Sequence, residues 1–339
     1  MKKIIMLMVF LVVIAALAMA GGKGEEAKGV KIALSNSILS NSWRTQMVKI
    51  FEAYCENLKD EGIVSEYYAT STGNSDANDQ VNEVRNLIAA GYDIIVIDCA
   101  SDALSVVIKE AAAEGIIVVT FDNIVETDVS YSITVNATKF AIGQVEWLVN
   151  ELGGKGKIFL IKGMDGASDD TRRNAAYMSV LKKYPDIKII GEGNGNWDYG
   201  TTAELMNNLL AANGGKAPDG ILMQGMGEVA VVEALINYGI DPASVPFTGE
   251  WTNGYFRVIM EHHLNCYVTG VPAYLSAMAV DIGLAVYNGE KVERNQVIDP
   301  PVIDAADAAD WYYPDQPDEF VSAFTDADNT WNLTVEDMK

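Results

Sequence analysis

From residue 28 onward the chain repeats one pattern: a short apolar run, a polar loop, then an amphipathic stretch. The runs are Val30-Lys31-Ile32-Ala33-Leu34, Ile94-Ile95-Val96-Ile97-Asp98, Ile116-Ile117-Val118-Val119-Thr120-Phe121, Ile158-Phe159-Leu160-Ile161, Ile187-Lys188-Ile189-Ile190 and Ile221-Leu222-Met223-Gln224. Runs that are apolar at nearly every position suit strands covered on both faces, as in a parallel sheet. Over 81–90, Val81, Val84, Leu87 and Ile88 share one helical face, and similar stretches span 103–113, 175–183, 202–212, 229–237 and 275–287. Gly91, Gly115 and Gly239 follow such stretches, where a helix commonly ends in left-handed backbone. Strand and helix alternating through short loops predict a doubly wound α/β architecture. Four or five strands precede Asn136 and four or five follow Gly154. That is too many for one ordinary sheet, so two similar lobes are expected.

The N-terminus breaks the pattern. Lys2 and Lys3 precede an unbroken apolar run over 4–17, and Ala18-Met19-Ala20 offers a small-x-small cleavage pattern. This predicts a secretory signal over 1–20, cut near Ala20. The expected location is periplasmic or otherwise extracytoplasmic. Gly21, not Cys, follows the cleavage point, which opposes a lipoprotein. No later stretch of eighteen apolar residues suggests a spanning helix.

Charge narrows the partners. The 339 residues hold 24 Lys and Arg against 47 Asp and Glu, a net charge of −23, and removing the two signal lysines makes it −25. Such a chain will not seek nucleic acid or anionic lipid. Cys55, Cys99 and Cys266 are too few and too far apart for a disulfide framework or a zinc site, and any pairing among them stays open. The segment Asp304-Ala305-Ala306-Asp307-Ala308-Ala309-Asp310 reads as exposed. The aromatic tail after it, within 301–339, is expected to pack across the lobes.

Familiar catalytic chemistry is missing. His262 and His263 are adjacent, so on a helix they point to different faces and make a poor metal pair. There is no HExxH, GxSxG or P-loop pattern. Gly225-Met226-Gly227-Glu228-Val229-Ala230 fits GxGxxA, but a close-packed strand-to-helix turn explains its glycines equally well. No catalytic residue, cofactor or metal is expected.

The polar residues gather instead at the ends of the predicted strands, where ligands bind in open α/β sheets. Asn41, Trp43 and Arg44 follow the first strand, and Asp122 and Asn123 follow Phe121. Arg173 lies beyond Ile161 and Trp197 beyond Ile190. Gln224 ends its strand, and Glu250 ends the next. Planar Asp, Asn, Gln and Arg groups can each address two hydroxyls, and Trp faces cover the C–H patches of a sugar ring. This set predicts a neutral polyhydroxylated ligand, with Trp43 and Trp197 sandwiching its ring.

Over about 28–302 the chain resembles the ribose-binding-protein type of ABC-transporter sugar-binding proteins. The resemblance rests on Lys31-Ile32-Ala33-Leu34, Asn41-Ser42-Trp43-Arg44, Val118-Val119-Thr120-Phe121-Asp122 and Arg172-Arg173-Asn174-Ala175-Ala176-Tyr177. It implies two Rossmann-like lobes, each a parallel sheet flanked by helices, joined by three hinge crossings. It also implies a monomer that captures a monosaccharide and passes it to a membrane ABC permease. By motif, Asn41 takes the place of a hydroxyl-binding Asn and Trp43 that of a stacking Phe. Asp122 and Arg173 match the family's sugar-binding Asp and Arg, and Trp197 an aromatic on the opposite face. Gln224 and Glu250 fall near an Asn and an Asp. Arg44 stands where ribose binders have a second Phe, and Asn123 replaces an Arg. The Trp43-Arg44 pair is similar to binders of galactofuranose and related sugars.

The crossings are expected near Asn136-Ala137, 268–270 and Pro300-Pro301. They divide the chain into an N-terminal lobe (29–137 with 270–300), a C-terminal lobe (138–269) and the tail. Three alternatives remain open. One is a sensory version of the same module, serving a chemotaxis or signalling receptor. Another is a secreted carbohydrate-active enzyme using Asp122 and Glu250. The third is a sugar-sensing transcriptional regulator, which the acidic charge and the signal oppose.

Overall fold

The computed structural model describes residues 29–39, 41–73 and 76–338. The secretory signal expected over 1–20 lies outside them. The first sheet is built by β1 (Val30–Asn36), β2 (Val64–Ser71), β3 (Ile94–Asp98), β4 (Ile117–Phe121) and β5 (Tyr131–Val135). The second is built by β6 (Gly156–Lys162), β7 (Ile187–Asn194), β8 (Gly220–Met223), β9 (Phe247–Glu250) and β10 (Cys266–Thr269). The chain then returns: β11 (Asn295–Ile298) joins the first sheet and β12 (Val302–Ile303) the second. The two sheets have equivalent orders, β11-β5-β4-β3-β1-β2 and β12-β10-β9-β8-β6-β7. All pairings are parallel except β10 with β12, which is antiparallel.

The nine α-helices of the described residues are α1 (Ser42–Asp60), α2 (Ala77–Ala90), α3 (Ser105–Ala113), α4 (Ala137–Glu151), α5 (Ser168–Leu181), α6 (Tyr199–Ala212), α7 (Glu228–Asn237), α8 (Asn253–His262) and α9 (Leu275–Tyr287). α9 packs on β3, β4 and β5, although it follows β10 in sequence, whereas α4 packs on β8, β9 and β10. Central strands are buried throughout: β3 exposes none of its five residues. This is why their sequences lack alternation. β7 lies at a sheet edge, so its apolar run is only half covered, and Ile190 is 38% exposed. β2 is the other such edge. Its polar, alternating sequence carries no signal of a buried strand.

The chain passes between the sheets after β5, after β10 and after β11. At the second passage Gly270 leaves room for an indole: a Cβ there would lie 2.4 Å from Trp251 Cε2. The tail also touches both halves of the molecule. Asn253 and Gly254 of α8 donate backbone N–H groups to Phe320 and Asp318, while Gln46 of α1 pairs with both backbone groups of Val321. Farther on, Trp331 Nε1 donates to Asp281 Oδ2 on α9 at 2.8 Å. Cys55, Cys99 and Cys266 are all free and buried.

Candidate functional site

Both sheets point the carboxyl ends of their strands at one cleft. The first lobe's wall begins where β1 hands over to α1. Asn41 caps α1, its Oδ1 accepting the Arg44 N–H at 3.0 Å. The amide oxygen offered to a ligand by the sequence is therefore also a helix cap. Arg44, in the first turn, donates through Nη1 to Asn36 Oδ1 (2.7 Å), Ser37 Oγ (2.9 Å) and Asp98 Oδ2 (2.5 Å). Its Nη2 stands 3.9 Å from Asp122 Oδ2. Asn123 joins the cluster, its Nδ2 donating to Asp98 Oδ1 (3.2 Å) and Asp122 Oδ2 (2.9 Å). Burial raises the pKa of Asp98, against the pull of Arg44. Burial also raises Asp122 well above the usual carboxylate range. Asp98 and Asp169 add to that shift, while Arg44 and Arg173 oppose it.

The second lobe's wall is organised around Arg173 on α5, only 3% exposed. Its Nη1 donates to Glu250 Oε1 at 3.1 Å, and its Nη2 lies 3.8 Å from Asp169 Oδ2. The guanidinium lies over the Phe140 ring at 3.8 Å and faces Trp197 at 5.8 Å. Burial opposes its charge, but Glu250 and Asp169 more than offset this, so its pKa is raised. Glu250 is raised by burial, with Arg173 lowering it.

Trp197 is held in left-handed backbone, at φ 53°, directly after Asn196 at φ 57°. A bulky residue there is a backbone outlier, and such strain gathers at ligand clamps. Gly163 makes the arrangement possible: a Cβ on it would lie 2.3 Å from Trp197 Cζ2. Asp122 (φ 53°) and Met226 (φ 66°) on the cleft wall share this conformation. Three buried polar atoms of this wall, Arg173 Nε, Trp197 Nε1 and Gln224 Oε1, have no protein partner.

Together the walls enclose a cavity of about 610 Å³. Asn41, Trp43, Arg44, Asp122, Asn123, Arg173, Trp197 and Glu250 all line it. Gln224 does not. It is 1% exposed, and its Nε2 donates to Asp170 Oδ1 (2.8 Å) and Asn174 Oδ1 (3.0 Å). It is correctly placed at a strand end but turned into the wall, bracing α5. Trp43 also departs from the expected ring sandwich. Only 7% exposed, it belongs to the core and donates Nε1 to Val271 O at 2.7 Å, which ties α1 to the second passage between sheets.

Nothing in the sequence pattern marks Asp98, Phe140, Asp169 or Met226 as part of the site. Asp98 closes an apolar run and reads as its last residue. Its partner Arg44 is 54 positions away. Among the described residues no cluster of three or more His, Cys, Asp or Glu could hold a metal ion, and no helix is long and apolar enough to cross a membrane.

Residues 32–291 match the periplasmic binding protein domain family. The chain belongs to this family. Among relatives of this binding-protein chain, a xylitol-binding protein of Mycolicibacterium smegmatis is 29% identical over 45% of this chain and 44% of its own length. The chain thus matches under half the length of that relative. A galactofuranose-binding protein of Escherichia coli is 25% identical over 77% of this chain and 84% of its own. The solved structure of an ABC-transporter solute-binding protein from Thermobispora bispora shares the fold, with a TM-score of 0.77 at 22% identity, covering 86% of this chain and 90% of that one.

Proposed function

We propose that this binding protein captures a neutral monosaccharide or similar polyol between its lobes, outside the cytoplasmic membrane, and delivers it to an ABC permease. One observation carries this reading: both cleft arginines are already bonded to protein carboxylates, Arg44 to Asp98 and Arg173 to Glu250. Neither is a free cation awaiting an anion. What the walls offer is a mixture of donors and acceptors suited to hydroxyl groups, with Trp197 beside them. Cavities of some hundreds of Å³ suit small ligands. The surplus of carboxylates, with Asp122 and Asp169 facing the cavity as well, disfavours sugar acids and sugar phosphates. A glycosidase would need Glu250 as a working acid or nucleophile, yet its carboxylate is committed to Arg173. The relatives' own ligands, xylitol and galactofuranose, are neutral and polyhydroxylated. The lobes close on the sugar by bending at the three passages between sheets, as a ligand touching both walls favours.

A thermal-shift screen tests this reading. Pentoses, hexoses, furanoses and inositols are compared with uronic acids and sugar phosphates. A sugar at a hundred times its Kd adds about 2.7 kcal/mol of stability. At least one neutral compound is expected to raise the melting temperature and the anionic ones to leave it unchanged. A shift with anions only contradicts the proposal.

A further inference from the structure

Behind the second wall sits a buried carboxyl group that the cleft does not use directly. Glu228, 1% exposed, opens α7 immediately after the Gly225-Met226-Gly227 turn, the segment that mimics a dinucleotide motif. Its Oε1 accepts two backbone N–H groups, from Met226 at 2.8 Å and from Glu250 at 2.7 Å. Its Oε2 lies 3.4 Å from Thr252 Oγ1, the oxygen that caps α8 by accepting the Tyr255 N–H. Met226 and Glu250 line the cavity; Glu228 does not.

The neighbouring glycines fit this arrangement. A Cβ on Gly249 would lie 2.5 Å from Glu228 Cγ, and one on Gly225 would lie 2.3 Å from Glu250 Cγ. Gly227 makes room for Thr202 of α6 in the same way, at 2.4 Å. The glycines of the motif therefore admit side chains, and the turn is held from below by Glu228.

We propose that Glu228 is a positioning residue of the sugar site: it fixes the backbone of Met226 and Glu250 and so sets where the Glu250–Arg173 pair meets the sugar. The site it serves rests on the sugar-binding reading above. Both of its oxygens act as acceptors: Oε1 takes the two backbone N–H groups and Oε2 faces the Thr252 hydroxyl. The titratable groups facing it are Glu250 at the end of β9 and Tyr255 on α8. Neither titratable neighbour is cationic. Burial raises the Glu228 pKa to about 7. The backbone donors lower it and the Glu250 charge raises it further. The native state therefore keeps this proton between the ordinary Glu value of 4.5 and about 7, where the unfolded chain has lost it. Its contribution to stability falls as pH rises through that window.

Amide hydrogen exchange on the ligand-free protein, followed by NMR, is the test. Glu228→Gln keeps the Oε1 acceptor and turns an uncharged NH2 group toward Thr252. It is expected to keep wild-type protection factors at the Met226 and Glu250 amides. It should also lose the part of the decline in stability between pH 4.5 and about 7 that belongs to Glu228. Glu228→Ala is expected to lower protection at those two amides at least tenfold, with Leu222 on β8 unchanged, and to weaken by a similar factor whichever of D-xylose, L-arabinose, D-galactose and myo-inositol the wild type binds. Unchanged protection in the Ala variant overturns the proposal. So does lost protection in the Gln variant, which decides the matter even if Ala fails to fold. If no neutral compound of the thermal-shift screen binds the wild type while the exchange results stand, the sugar reading fails and the holding role of Glu228 survives.

Discussion

Arg44 and Arg173 reach the cleft with their charges already balanced by the protein. Such pre-paired groups lose little freedom when a sugar arrives, and their remaining N–H groups point in fixed directions. Asp122, Arg173, Glu250 and Trp197 are legible in the sequence because each stands as a polar or aromatic residue just past an apolar run. Asp98 and Asp169 are not, because what makes them part of the site is a partner distant in sequence or across the cleft. The two tryptophans separate by environment. Trp43 is 7% exposed and bonded to Val271 O, whereas Trp197 is only partly buried against the cavity. Trp43→Ala is expected to lose about 3–5 kcal/mol of stability, as for other large core truncations. Trp197→Ala is expected to lose about 1–3 kcal/mol of sugar binding, on the scale of ring stacking, with a smaller loss of stability. Urea melts and titrations on both variants check this. A Trp43→Ala variant that melts like wild type contradicts its core assignment.

At the scale of elements, the central strands announce themselves because both their faces are covered. The edge strand β2 and the short β5 do not, and neither does α4, whose apolar positions are diluted by Gly143, Gln144 and Glu146. The turn after β6 shows how element geometry sets site geometry. Gly163 donates its N–H to Asp170 Oδ1 at 2.7 Å, which ties the strand end to α5, and its missing side chain admits the Trp197 ring. Gly163→Ala places a methyl group where the indole lies. The ring must move, because the methyl would lie 2.3 Å from Trp197 Cζ2 and 2.7 Å from Gln224 Oε1. The expected outcome is at least a tenfold loss of sugar affinity together with a change in tryptophan fluorescence. Wild-type affinity would show that the indole position does not matter.

For the whole molecule, the decisive feature is repetition: two sheets of equivalent strand order, each presenting its strand ends to the other. The sequence carries this as a count of strands that exceeds one sheet. It does not carry the return of β11 to the first sheet and of β12 to the second, because two short strands of ordinary composition give no sign of their partners. Nor does it show which elements the tail binds, because Gln46 of α1 and Asn253 of α8 mostly hold backbone groups of the tail, and such pairings leave no mark on the tail's own sequence. The proposed function requires the two walls to act on one ligand: Asp122 on one side, Arg173 on the other, with Asp169 close enough to Asp122 to raise its pKa. Titration calorimetry with the neutral sugar that most stabilises the protein, on wild type, Asp122→Asn and Arg173→Ala, tests this most directly. Each substitution removes a charge-assisted contact worth about 1.5–3 kcal/mol, so each variant is predicted to bind more than tenfold more weakly while remaining folded. Wild-type affinity in either variant would mean that one wall does not hold the sugar and would contradict capture between the lobes.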